Sequence, residues 1–297
     1  MRRRAFITLV GAALATPRAA CAQTVRRIGV LMAHAESDPE GQVRAAAFRE
    51  GLQKLGWVEG RTIRTDTRWA TAGPESIQRF AKELVALQPE LILSNSTPTT
   101  ASLVQQTRTI PIVFVVVSDP IGSGFVANFA RPGGNVTGFT NVEPTMAGKG
   151  LELLKEIVPG VARVAFLFNP VTAPYAEYFL NPFKAAAASL GVETIAASVR
   201  DRSDLEPVMA AQARAPNGGV VVMADSFTTV HRTEITSLAA RYRLPAAYPY
   251  RFFAEVGGLL SYGSDLHDNF RRAASYVDRI LAAGEGRRRA PCYSLER

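Results

Sequence analysis

Cysteine is nearly missing from this chain of 297 residues: Cys21 and Cys292 stand close to its two ends, with none between. The body therefore has no internal disulfide, no thiolate nucleophile and no thiolate metal site. Histidine is almost as scarce. His34, His231 and His267 are far apart in sequence, so a histidine metal cluster would exist only if folding gathered them. His34 follows an apolar run and is a candidate to face a cleft, with a surface or rim position as the plainer alternative. No run of 18 or more apolar residues occurs, which leaves no permanent transmembrane span to expect. H-E-x-x-H, the phosphate-binding G-x-x-x-x-G-K-[ST] and G-x-S-x-G are also missing.

The chain carries 34 Lys and Arg against 26 Asp and Glu, a formal charge of +8, and that charge is concentrated at the ends. Residues 1–22 hold Arg2, Arg3, Arg4 and Arg18 with no acid. Residues 287–297 hold Arg287, Arg288, Arg289 and Arg297 against Glu296, so the body nets only +1. An almost neutral body gives no electrostatic case for a nucleic-acid partner. With 47% hydrophobic and 20% charged residues, it has the composition of a globular protein large enough to bury its own core.

Residues 1–22 read as an export signal peptide: a basic start, an apolar run from Phe6 to Ala15, and Ala20-Cys21-Ala22 as an A-x-A cleavage site before Gln23. Arg3-Arg4-Ala5-Phe6-Ile7 also fits a twin-arginine signal; an ordinary secretory signal is the alternative. A lipoprotein reading of Cys21 is disfavoured by Arg18. The expected location is the periplasm.

From Arg27 onward, short β-branched runs alternate with amphipathic stretches. Strands are expected at 28–32, 62–69, 91–93 and 112–117, and helices at 40–56, 74–87 and 98–108. The rhythm breaks at Arg131-Pro132-Gly133-Gly134-Asn135. A short extended piece (136–140) and a helix (146–158) follow. A second series has strands at 163–168, 192–198, 219–223 and 245–249, then an extended segment at 259–262 and a helix over 266–283. Strands apolar on both faces belong to parallel sheets covered by helices. The expected fold is α/β: two doubly wound parallel-sheet lobes with a ligand cleft between them. The N-terminal lobe is expected over 25–141 plus 260–286, the C-terminal lobe over 142–259, and a basic, atypical tail over 287–297.

The residues after the strands share one chemistry. Ser96 and Thr97 follow the third strand, Asp119 the fourth, and Thr140 and Asn141 close the 136–140 piece. In the second series Asn169, Asp225 and Ser226 hold the equivalent places, and Gly263 and Asp265 follow the last extended segment. Hydroxyls beside free N–H groups at a helix start suit a carboxylate, while Asp119, Asp225 and Asp265 suit an ammonium group. Together they describe a binder for a zwitterion such as an amino acid. Helix capping is the competing explanation at any single position. Trp69, Phe139, Phe168, Tyr175, Tyr250 and Tyr262 also lie near strand ends, available to stack on an aromatic ligand or to pack in the core. Gly122-Ser123-Gly124-Phe125-Val126-Ala127 has the dinucleotide-binding form, but it follows the fourth strand and meets Arg131-Pro132-Gly133-Gly134 within about two helical turns. A nucleotide-binding crossover does not fit there.

The strings Ile110-Pro111-Ile112-Val113-Phe114, Ser118-Asp119-Pro120 and Arg131-Pro132-Gly133-Gly134-Asn135-Val136-Thr137-Gly138 resemble the ABC transporter substrate-binding family that includes tryptophan- and tyrosine-binding proteins. Gly51-Leu52 with Leu55-Gly56, Ser96-Thr97-Pro98 and Ile280-Leu281 before Gly284 extend the likeness over about 26–286. The resemblance implies a type I periplasmic binding fold and a monomer that closes its lobes on a small solute. It further implies that the solute passes to an ABC permease and ATPase complex in the inner membrane. It implies no cofactor and no catalysis. Carried over by position, Ser96 and Thr97 would hold a ligand carboxylate, with Asp119, Asn141, Asp225, Gly263 and Asp265 completing the site. The end of the chain departs from the family, whose members often continue with a proline-led segment crossing between the lobes. A short basic tail and a truncated or frameshifted gene both explain that. Two other readings of the chain are an exported α/β enzyme with Asp119 or Asp225 as general base, and a ligand sensor for a membrane signalling partner.

Overall fold

The computed structural model describes residues 25–71 and 73–282; the expected signal peptide and basic tail lie outside them. The first half runs β1 (Arg26–Met32), α1 (Pro39–Lys54), β2 (Ile63–Trp69), α2 (Pro74–Ala86), β3 (Leu91–Asn95), α3 (Thr97–Gln106), β4 (Ile112–Val117) and β5 (Val136–Thr140). The second half begins with α4 (Thr145–Ile157), β6 (Arg163–Phe168), α5 (Ala176–Ser189), β7 (Glu193–Ser198), α6 (Leu205–Ala213) and β8 (Gly218–Val222). It continues with α7 (Ser226–Val230), α8 (Arg232–Arg241), β9 (Ala246–Tyr248), α9 (Arg251–Glu255), β10 (Leu260–Ser261) and α10 (Leu266–Ala282). The elements expected from periodicity differ from these by no more than two residues at any end.

The strands form two five-stranded parallel sheets, ordered β2-β1-β3-β4-β5 and β7-β6-β8-β9-β10. Each half thus repeats one winding, its second strand at one edge and the rest stepping away from the first. The burial patterns follow. β3 and β8 are buried along their whole length, whereas the edge strands β2 and β7 are mostly half-buried or exposed. Ile28, Val30 and Met32 of β1 face one core with Phe48, Phe270 and Val277; Leu31 faces the other with Leu84, Leu103 and Phe114. This is the period-two alternation of a strand covered on both faces.

The two units exchange one helix. α4 leaves β5 of the first sheet yet packs on α5, β8 and β9 of the second, while α10 leaves the second sheet and packs on α1, β4 and β5 of the first. Both helix pairs are close. A Cβ on Gly51 of α1 would stand 2.7 Å from the Arg271 carbonyl, and one on Gly148 would stand 3.0 Å from Ala186 Cβ. One boundary is corrected here: Leu260 and Ser261 pair with β9, so the second sheet runs through Ser261 instead of ending at 259. The two connections lie side by side at the hinge, where Ser264 Oγ donates to the Asn141 carbonyl at 2.7 Å and Asn269 Nδ2 to that of Thr140 at 3.2 Å.

The candidate dinucleotide motif opens no helix. Asp119 Oδ1 accepts from Gly122 N at 2.7 Å, and turns follow as far as β5.

Candidate ligand cavity between the lobes

Parallel strands point their carboxyl ends the same way, and here the carboxyl ends of the two sheets face each other across the hinge. The residues that follow β1, β3, β4, β8 and β9 meet around a cavity of about 20 Å³, the space of one water molecule. Pockets that enclose drug-sized molecules are typically about 300–1,000 Å³. The lobes are therefore shut against each other, and a solute enters only when they part.

His34, Asn95 and Ser96 come to the cavity from the first lobe, Asn141 from the crossover, and Asp225 and Tyr250 from the second. Arg44 reaches it from the second turn of α1 and is 1% exposed. Four buried polar atoms on these side chains have no hydrogen-bond partner: His34 Nε2, Arg44 Nη2, Asn95 Oδ1 and Asn141 Oδ1. Buried polar atoms are nearly always satisfied, so four around one small cavity mark a place built to receive polar groups.

Backbone strain concentrates at the same spot. Ser96 has φ 112° and ψ 162°, and Val116, in a bulge of β4, has φ 60°. Such conformations cost on the order of 1–3 kcal/mol each away from glycine and persist at functional sites. The Ser96 amide donates to the Val115 carbonyl at 3.0 Å, which ties the two strained segments together.

The electrostatics are set by burial. Asp225 is pushed up to about 6 by burial, although Thr228 N (2.7 Å), Asn169 N (3.2 Å) and Thr172 Oγ1 (3.3 Å) donate to it. Burial and the Arg44 cation press His34 down to about 3. Burial raises Tyr175 to about 12; its hydroxyl meets Ser118 and Thr97 across the gap. At the cavity's edge Arg232 of α8 gives two hydrogen bonds, both 3.0 Å, to Asp38, the N-cap of α1. Burial alone would raise Asp38, but the Arg232 guanidinium holds it below its ordinary value. The Phe252 ring lies between the Arg44 and Arg232 guanidinium groups, at 5.5 and 5.7 Å.

Of the ten residues singled out in the sequence, Ser96, Asn141, Asp225 and Ser226 line the cavity, and Thr97 sits beside it against Tyr175. The others stand outside the lining. Asp119 closes its own turn, Thr140 offers its carbonyl to Asn269, and Asn169 caps the loop after β6 through Val171 N (2.7 Å) and Thr172 N (3.1 Å). Gly263 and Asp265 border a separate groove of about 860 Å³ on the hinge side, where Asp265 accepts from His267 N at the start of α10. Tyr175 and Tyr250 reach the cavity; Phe139 and Phe168 belong to the cores. Arg44 was not singled out, because nothing in a helix interior marks a side chain that ends in a cleft. Its spacing to Glu40, whose Oε1 accepts from Arg44 Nε at 2.8 Å, was the available signal. Among the described residues no group of three or more His, Cys, Asp or Glu side chains could hold a metal ion.

Two parallel-sheet lobes that close on a polar cavity define a bilobal α/β solute-binding protein. The family model of ABC transporter substrate binding proteins matches residues 31–289, and the chain belongs to that family. A tyrosine-binding protein from Clostridioides difficile (strain R20291) is 30% identical over 122 residues, 41% of this chain and 35% of that relative, so the match spans about a third of the relative's length. Two solved structures share the fold over most of both chains. A conserved domain protein from Vibrio cholerae O1 biovar eltor has 26% identity and a TM-score of 0.82 over 92% of this chain and 90% of its own. An ABC domain in complex with L-Trp from Streptococcus pneumoniae has 22% identity and a TM-score of 0.83 over the same shares.

Proposed function

We propose that this protein is the exported, periplasmic receptor of an ABC uptake system. It binds one amino acid or similar small carboxylate between its lobes and, as a monomer, delivers it to the permease and ATPase of the inner membrane. The observation that carries the reading is the interlobe cavity, where unpaired donors and acceptors of the first lobe and the crossover face Asp225, Ser226 and Tyr250 of the second. A solute that contacts both lobes favours an arrangement closed around it over the open one by its differential contacts. Ser96, Thr97, Asn141, Asp225 and Ser226 are the contacts proposed for it. Asp225 is the partner of an ammonium group. Tyr175 and Tyr250 on the wall, together with the tyrosine-binding relative, support an aromatic side chain on the solute.

The test is thermal denaturation of the purified protein with the twenty amino acids and with aromatic and aliphatic carboxylates. A bound solute at a hundred times its Kd stabilises the native state by about 2.7 kcal/mol, so one class of compound should raise the Tm with rising concentration. No shift with any acid, alongside turnover of a solute, would favour the enzyme reading. Release of the protein by osmotic shock checks the periplasmic location.

A further inference from the structure

The start of α3 is a poor anion site in this chain. Ser96 spends its own amide on Val115, and its Oγ accepts from Thr99 N. Pro98 has no N–H to offer, and Thr100 N is already bonded to the Ser96 carbonyl at 3.1 Å. Of the first-turn groups only the Thr97 amide and its unpartnered Oγ1 are left; neither carries a charge, and a buried carboxylate needs several hydrogen bonds or a paired charge.

Two other groups supply what is missing. Arg44 is anchored through Nε to Glu40, yet its Nη2 has no partner and the side chain lines the cavity. Its carboxylate partner is shared, because Glu40 Oε1 also takes a hydrogen bond from His267 Nε2 at 3.1 Å. Arg232, by contrast, has both its forward donors engaged by Asp38. Arg44 is thus a fixed, buried cation with donor capacity to spare, the geometry suited to a carboxylate. His34 adds a neutral donor beside it. The Asn95 amide nitrogen lies 3.1 Å from His34 Nδ1, and an amide nitrogen only donates, so Nδ1 accepts and the ring proton resides on Nε2. That N–H is buried and unpaired. The unpaired acceptors, Asn95 Oδ1 and Asn141 Oδ1, border the same cavity and suit the other end of a zwitterion.

We propose that Arg44 and His34, rather than the start of α3, hold the acidic group of the bound solute. This rests on the solute-receptor reading above and moves the specificity for acid to α1 and the loop after β1.

The experiment measures affinity by titration calorimetry for amino acids and their primary amides: L-tyrosine with L-tyrosinamide, L-tryptophan with L-tryptophanamide, L-leucine with L-leucinamide. The wild-type protein is expected to prefer the acid of the pair it binds. In Arg44→Gln that preference falls at least about tenfold while amide affinity stays within a few-fold, and His34→Phe lowers it by a smaller factor. A purely structural role would weaken acid and amide alike. Arg44→Lys keeps the buried charge and its tie to Glu40, and serves as the readout should Arg44→Gln fold poorly; loss of the guanidinium fork lowers the preference in it too. Wild-type preference retained in both Arg44 variants overturns the assignment and leaves the receptor reading standing. A wild-type protein that binds acid and amide equally overturns the assignment alone, and one that binds none of these compounds nor any other acid overturns the receptor reading as well.

Discussion

Asp225 is a buried carboxyl group whose proton is held to about pH 6 by burial. Its folded-state value lies above that of the unfolded chain. The stability linked to it is therefore full below about pH 4 and is lost as pH rises through 6. An ammonium group brought against it reverses the preference and favours the carboxylate. Binding of an amino acid near pH 6 should accordingly release a fraction of a proton, and binding at pH 8 almost none. Calorimetry in two buffers of different ionisation enthalpy reads this directly; a binding enthalpy independent of buffer at pH 6 would remove Asp225 from the ammonium site. Asp225 and Ser96 could be found in the sequence because a parallel sheet gathers whatever follows its strands. Arg44 and Arg232 were not found, since each projects from a helix and its destination depends on how that helix packs; the spacing of Arg44 to Glu40 marks a pair but not the cleft it faces. Asp119 and Asp265 show the opposite difficulty. They follow strands, yet Oδ1 of each is taken by local amides, and a cap looks like a ligand contact until its partner is known.

Two glycines in the exchanged helix pairs have opposite expectations. Gly150 of α4 borders an apolar gap of about 30 Å³ lined also by Phe166 and Val221, and a Cβ there would meet Ala247 and Val221 at 3.8 and 3.9 Å, ordinary contact. Gly150→Ala should stabilise the protein by up to about 1 kcal/mol through helix propensity and the lower entropy of the unfolded chain. Gly51→Ala should cost about 1–3 kcal/mol, because its Cβ would press on the Arg271 carbonyl and Ala274 at 2.7 and 2.8 Å. Denaturant titration of the two variants distinguishes them, and midpoints equal to that of the wild type would contradict both. The strands and five of the helices were readable in the sequence to within two residues because binary patterning and turn chemistry agree there; the pattern set no bounds for α5 to α9 of the second half. What the pattern lacks is any mark of partnership. The amphipathic stripe of α10 requires an apolar surface to cover, but it does not say which sheet provides one.

The shut arrangement of the molecule has a polar fastening independent of the solute: the Arg232–Asp38 ion pair, mostly buried and gripped by two hydrogen bonds. Hydrogen bonds to charged groups contribute about 1.5–3 kcal/mol. Arg232→Met should therefore weaken solute binding by roughly ten- to a hundredfold, in the same range. The ligand-free protein should also have a larger radius of gyration by small-angle X-ray scattering. Unchanged affinity and unchanged radius together would mean that the pair contributes nothing to closure. At this scale the sequence conveyed the two-lobe architecture through its repeated strand–helix rhythm. It was silent on the fastening, whose two members lie 194 positions apart.

The exchange of helices sets a schedule for biosynthesis. The five strands of the first sheet are complete at Thr140, but the helix that seals the face bearing Ile28, Val30, Val113 and Phe139 begins only at Leu266. At about 5–20 residues per second the ribosome needs on the order of ten seconds to reach it. Throughout that interval the nascent first lobe presents an apolar face that α1 alone covers only in part, a natural target for a chaperone, and it matures only after nearly all of the second lobe has been made.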